Sequence, residues 1–214
     1  MALLMLDLDN TLVDRDAAFR TAAADFLAAH RLPRGDLDWL MALDASGYAP
    51  RPDVALAMAD RYGGALPGAA VREFLDGGGA DRVVLPEATR EALAAAAASG
   101  WCCVIVTNGR VAQQEAKIRH AGLDALVHGW TVSEAVGHKK PDAGIFRAAA
   151  AAAGTSPHGA WMIGDSAHAD IGGAHALGVR SVWVSAGRPW TEVSFRPTHT
   201  AEDAAGAIRR VGRH

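Results

Sequence analysis

Cysteine is almost missing from this chain: there are two, Cys102 and Cys103, and they are adjacent. Neighbouring residues on a strand point to opposite faces, so a bridge between them would be strained. A disulfide framework is thereby excluded, and a reducing cytoplasm is the expected setting. Long apolar runs are also lacking. No uncharged stretch reaches the roughly 20 residues that cross a bilayer, and the apolar residues 2–6 lack the length and basic flank of a signal peptide. Charge of one sign is not in excess either. The formal net charge is −3, with no marked asymmetry between the halves, so neither nucleic acid nor an anionic membrane is an expected partner. The basic end, Arg209-Arg210-Val211-Gly212-Arg213-His214, is read as a short solvated tail. His168, His175 and His199 do not have the clustered spacing of a zinc site.

What is present is alanine and short apolar runs. With aromatics at only 6%, helices rich in Ala, Leu and Arg are the expected bulk of the chain. Residues 3–6, 102–106, 161–163 and 181–184 are continuous apolar runs that stop at polar residues or glycine, and 127–132 is a weaker fifth. This is how strands buried on both faces look. Helical patterns lie between them at 87–99, 111–121, 143–153 and 169–177, with Gly100, Gly122, Gly154 and Gly178 where C-caps belong. Alternation of strand and helix predicts an α/β fold with a doubly wound, mainly parallel sheet.

One interval is too long for a simple crossover between parallel strands, which needs about a dozen residues or somewhat more. Residues 15–30 carry a helical stripe through Phe19, Ala22, Ala23, Phe26 and Leu27, and 37–43, 53–62 and 69–75 also read as helices. The expected organisation is therefore a core domain of residues 1–13 and 85–214, with a helical insert at 14–84 whose return lies near Gly77-Gly78-Gly79.

Chemistry-bearing residues collect at the ends of the predicted strands. The first strand runs into Asp7-Leu8-Asp9-Asn10-Thr11, two carboxylates two residues apart. Ligands bind beyond the carboxyl ends of strands in open α/β sheets, and a divalent cation relieves the repulsion of paired carboxylates there. The same residues also suit a capped turn. Thr107-Asn108-Gly109 ends the second strand and offers a hydroxyl and backbone N–H groups to an anion, or an ordinary N-cap. Lys139 and Lys140 precede Pro141 and a helix, where a lysine can neutralise phosphate or carboxylate charge. Lys140 is the choice of the two. The run from Gly164-Asp165 to Asp170 again puts carboxylates at a strand end, with oxygen ligands of the kind Mg2+ prefers.

In this order, Asp7-Leu8-Asp9-Asn10-Thr11, Thr107-Asn108-Gly109, Lys140-Pro141 and Gly164-Asp165 through Asp170 resemble the four motifs of the haloacid dehalogenase superfamily. The resemblance covers about residues 3–184, and the insert is similar in position to the family's C1 helical cap. It implies a Mg2+-dependent phosphohydrolase of small phosphorylated metabolites. Asp7 would be the nucleophile that becomes an aspartyl phosphate, and Asp9 the acid and then the base. Thr107 and the N–H of Asn108 would bind the phosphoryl oxygens, and Lys140 would bridge nucleophile and phosphoryl group. Asp7, the Asp9 backbone carbonyl and Asp165 would hold the metal, with Asp170 supporting them through water. Many relatives carry Asn where this chain has Ala169, so that supporting hydrogen bond is expected either to be absent or to come from Ser166 or His168.

Three rivals stand beside this reading. A 2-haloacid dehalogenase usually lacks the second aspartate, which Asp9 supplies here. A phosphomutase shares both aspartates. A non-catalytic binding module on the same fold would usually have lost a charged residue, and none is missing. A monomer or small homo-oligomer is expected. In the insert, His30, Trp39, Asp44, Tyr48 and Arg51 are read first as packing or surface, with Arg51 the one suited to grip an anionic leaving group. Trp183 is read as core, and Trp190 as a loop residue.

Overall fold

The computed structural model describes residues 2–63 and 66–211; the tail residues Gly212, Arg213 and His214 lie outside the described residues. The chain divides into two compact units, residues 1–13 with 85–214, and residues 14–84.

The larger unit is built on a parallel sheet of β1 (Ala2–Leu6), β2 (Trp101–Thr107), β3 (Gly129–Val132), β4 (Trp161–Gly164), β5 (Arg180–Val184) and β6 (His199–Ala201), in the order β3-β2-β1-β4-β5-β6. Leu6 pairs with Ile105 on one side and Ile163 on the other, so β1 is central and the order reverses across it. That reversal is where an open sheet leaves a crevice for ligands. Leu3, Met5, Cys102, Val104, Val106 and Met162 form one core face, packed on Ile145, Phe146, Ala149 and Ala150. Leu4, Leu6, Cys103 and Ile105, alternating with them, are buried as well, so both faces are covered and the strands read as unbroken apolar runs.

The expected helices form as α5 (Glu87–Ala98), α6 (Val111–His120) and α7 (Ala143–Ala152), and the four glycines predicted as C-caps have φ between 64° and 86°. Three features differ from the sequence reading. The helix expected at 169–177 is a wide turn at Ala167–Gly172 followed by a short helix at Gly173–Ala176, with Ile171 N donating to Ser166 O across five residues. The weak strand at 127–132 is shortened to Gly129–Val132. Past residue 184 the chain adds β6, too short to show as an apolar run, and a helix at Ala204–Val211. That helix buries Ala204, Ala207, Ile208 and Val211 and packs on α5. Arg209 and Arg210 are thus the exposed face of a helix, and Arg209 donates to Ala88 O.

Among its described residues the smaller unit has four α-helices, α1 (Arg15–Ala29), α2 (Leu37–Asp44), α3 (Arg51–Tyr62) and α4 (Gly68–Gly77). Its own core includes Phe26, Leu27, Leu40, Val54, Met58, Val71 and Leu75, with Phe74 stacked on Phe19 and Phe26. Asp44 is fully buried and accepts hydrogen bonds from Arg15 and Arg51. Burial pushes its carboxyl up, but the two guanidinium groups outweigh that and hold it below the usual range. Arg51 is therefore engaged in an internal ion pair. Trp39 meets the edge of Tyr62 and lies under Arg61, and His30 packs on Phe26.

Candidate active site

β2, β1 and β4 are adjacent, and Thr107, Asp7 and Asp165 stand at their carboxyl ends. Asp7 continues the ladder, its N–H donating to Ile163 O. The chain then turns sharply: Leu8 O accepts from the N–H groups of Thr11, Leu12 and Val13, with Asn10 at φ 58°. The turn returns Thr11 to Asp7, so that Thr11 Oγ1 donates to Asp7 Oδ2 at 2.9 Å and accepts from Asp165 N at 3.0 Å.

Lys140 is buried, while Lys139 is exposed. Lys140 Nζ donates to Asp7 Oδ1, Asp170 Oδ1 and Val106 O, each at 2.7 Å, which uses all three ammonium hydrogens. The loop that delivers it is fastened by Asn108. The Asn108 side chain accepts from Lys140 N at 2.8 Å and donates to Lys140 O at 3.0 Å. Sequence reasoning assigned Asn108 only a backbone role and missed this clamp.

Asp170 touches Lys140 directly, where a water-mediated place was expected. Its other oxygen accepts from Ser166 N at 3.0 Å. Ser166 Oγ accepts from Ala169 N and so caps the turn that carries Asp170, and His168 is exposed. The Asp170 carboxylate fills the space a side chain at Gly164 would need: a Cβ there would lie 2.2 Å from Asp170 Oδ2. Only glycine fits the end of β4.

Asp7, Asp165 and Asp170 each offer an oxygen within 4.8 Å of the others. Asp7 and Asp170 are buried, facing one buried ammonium. Burial pushes the Asp7 carboxyl up to about 8; Lys140 opposes this, and Asp170 and Asp165 reinforce it. Asp165 is pushed up to about 6 by burial and by Asp170, against the pull of Arg188. Burial works to lower Lys140, but Asp170 and Asp7 outweigh it and hold the ammonium above its ordinary value. Negative charge is in excess, and the donors are all oxygens. Such a set fits a hard divalent cation with water completing its shell, and not a nitrogen- or sulfur-preferring one.

Asp9 lies outside this trio, and its partner is a residue the sequence reading did not single out. Lys117 Nζ donates to both Asp9 oxygens at 2.7 Å. Arg188 was missed as well. It donates to Asp165 Oδ2 and Asp165 O, both at 3.1 Å, and Trp183 Nε1 donates to the same carbonyl at 2.8 Å. Trp183 is buried as expected but also holds the Asp165 backbone, and Trp190 packs edge-on against it. Lysines on amphipathic helices and arginines in loops give no sequence signal for such partners.

A model of the haloacid dehalogenase-like hydrolases matches residues 1–178. Among curated proteins, the chain is similar to a phosphoserine phosphatase of Thermus thermophilus, 40% identical over 95 residues, covering 44% of this chain and 38% of the relative. It is also similar to a ribulose-1,5-bisphosphate 5-phosphatase of Halopiger xanaduensis, 32% identical over 141 residues, covering 66% of this chain and 54% of the relative. The aligned part is thus about half the length of these relatives or less. Among solved structures, the hydrolase YfnB of Bacillus subtilis, crystallised with magnesium, superimposes with a TM-score of 0.76 at 21% identity, covering 99% of this chain and 97% of that one. This last likeness concerns the fold.

Two outcomes follow from the geometry. Gly164→Ala should displace Asp170 and cost about 1–3 kcal/mol in urea unfolding, whereas Gly35→Ala, with nothing within 4 Å of the added Cβ, should stay within about 0.5 kcal/mol of the parent. The second concerns pH. Asp7 and Asp165 have folded-state pKa values above the 3.8 of the unfolded chain, so the folded state binds more protons over this interval. In EDTA, the contribution of these groups to stability should be greatest below about 4 and be lost as pH rises through about 6 and about 8. Chemical denaturation between pH 5 and 8.5 checks this, and stability rising over that range would contradict it.

Proposed function

Since the chain belongs to the haloacid dehalogenase-like hydrolases, we propose that it is a Mg2+-dependent phosphohydrolase of small phosphorylated metabolites working through an aspartyl phosphate on Asp7. The observation that carries this is the setting of Asp7: a buried carboxylate fixed by Lys140 and Thr11, with Asp165 and Asp170 beside it. The phosphatase names among the similar proteins support the same reaction class.

A Mg2+ ion held by Asp7, Asp165 and the Asp9 backbone carbonyl would supply the positive charge this cluster lacks and lower the repulsion between nucleophile and phosphate. The Asp7 carboxylate attacks phosphorus, forming a new O–P bond as the bond to the ester oxygen breaks. Lys140 neutralises charge on Asp7 and the transferring group, while the Thr107 hydroxyl and Asn108 N–H receive the phosphoryl oxygens. Asp9 gives its proton to the departing oxygen. It then takes a proton from the water that attacks phosphorus, and the Asp7 carboxylate is released with inorganic phosphate. We assign substrate selection to the helical unit, because it is inserted directly after the strand and turn that carry Asp7 and Asp9. The two cysteines, buried and unbridged, accord with a reducing cytoplasm. Among the described residues no helix is long and apolar enough to cross a membrane.

Asp7→Asn should abolish turnover and phosphoenzyme. Asp9→Asn should still form phosphoenzyme with p-nitrophenyl phosphate, whose leaving group barely needs an acid, while losing about a hundred- to ten-thousand-fold with alkyl phosphates. Mass spectrometry of acid-quenched enzyme and steady-state rates check both; phosphoenzyme in Asp7→Asn would overturn the mechanism. EDTA should remove activity and Mg2+ restore it, with Mg2+ raising the melting temperature more at pH 8 than at pH 5, because protons compete at the lower pH. Full activity in EDTA would refute the metal assignment.

A further inference from the structure

We propose that Gln114 and Lys117, one turn apart on α6, are positioning residues that fix the Asp9 carboxylate and the Thr107 hydroxyl together. The inference rests on the acid–base role assigned above to Asp9. Lys117 is a buried lysine, its side chain 3% exposed, whereas Arg119 two residues on is 58% exposed and pairs with Glu115 on the surface. Burying an ammonium is costly unless charge-assisted hydrogen bonds compensate. Here they do: Lys117 Nζ donates to both Asp9 oxygens and to Gln114 Oε1 at 2.9 Å.

Gln114, also buried, completes the arrangement. Its Nε2 donates to Asp9 Oδ2 at 3.0 Å and to Thr107 Oγ1 at 2.6 Å. The amide has one consistent orientation, because Lys117 can only donate and must face the oxygen. Thr107 Oγ1, having accepted from Gln114, directs its own hydrogen elsewhere, and a phosphoryl oxygen at the strand end is the acceptor the proposed reaction supplies. One helical turn thus sets the Asp9 carboxylate, which takes up a proton before it serves the leaving group, and the hydroxyl for the phosphoryl group relative to each other. Gly109 makes room for this: its φ is 151°, and a Cβ there would lie 2.9 Å from Gln114 Cδ. The helix itself starts on a carboxylate, with Val111 N donating to Glu134 Oε2 at 2.7 Å, which anchors the turn that carries Gln114.

A purely structural ion pair would slow all substrates alike when removed; a clamp on the acid would not. The experiment is kcat and KM of Lys117→Met, Asp9→Asn and the double variant at saturating Mg2+, with p-nitrophenyl phosphate and with an alkyl phosphate. Lys117→Met should lose at least about tenfold more kcat on the alkyl ester than on the aryl ester. In the Asp9→Asn background the same substitution should add less than about threefold, because both changes remove one function. Equal losses on the two esters, or losses that multiply in the double variant, would overturn the inference while leaving the Asp9 assignment intact. An Asp9→Asn variant indifferent to the leaving group would overturn both. If circular dichroism shows Lys117→Met unfolded, Gln114→Leu takes its place with the same two expectations, since it removes the link between Asp9 and Thr107 and leaves the Lys117–Asp9 pair.

Discussion

The Lys140 ammonium, buried between Asp7 and Asp170, sets the arrangement of the sheet edge around it. A buried charge must be compensated on every hydrogen, and Lys140 spends its three on two carboxylates and the Val106 carbonyl. Reaching them requires the loop before Pro141 to be held in place, which Asn108 does through both backbone groups of Lys140. Reaching Asp170 requires that carboxylate to come in over β4, which only glycine at 164 permits and which the wide turn after Ser166 accommodates. Removing one partner of such a pair typically costs about 3–5 kcal/mol, because it strands a buried charge.

The same constraint defines what the site lacks. Burial, and the excess of negative charge on Asp7, Asp165 and Asp170 over what Lys140 and the half-exposed Arg188 balance, hold the Asp7 carboxyl above the usual carboxylate range. Asp9, two residues away, is treated differently: it faces the Lys117 ammonium and the Gln114 amide and not other acids. Two aspartates from one turn thereby acquire distinct surroundings, the usual means by which paired carboxylates take different parts in one reaction.

The helical unit satisfies its own needs independently. It has a separate apolar core, and its buried acid, Asp44, is met by arginines from its own helices. The arginine that looked most available for a substrate anion, Arg51, bonds to Asp44, while Trp39 and His30 pack within the unit. Internal compensation of a buried carboxylate thus has first claim on its polar side chains.

By itself, the sequence determined the parallel α/β sheet, because strands covered on both faces must be written as apolar runs, and it located Asp7, Thr107, Lys140 and Asp165 by their places after those runs. The order of those residues carried the family resemblance. The tertiary structure alone decided which groups meet. Gln114 and Lys117 sit on a polar-looking helix, Arg188 in a loop, and Asn108 beside a strand end, and nothing local distinguishes them from surface residues. Apart from the Gln114–Thr107 and Lys117–Gln114 bonds, seven and three positions apart, their roles come from contacts with residues 32 to 108 positions away, or 23 for Arg188, that only the folded sheet brings within hydrogen-bond reach. The wide turn at Ala167–Gly172 was equally hidden, since the helical pattern was present and the pull of Lys140 on Asp170 was not. Periodicity reports which side of an element faces the core; the pairing of buried charges is a property of the assembled interior.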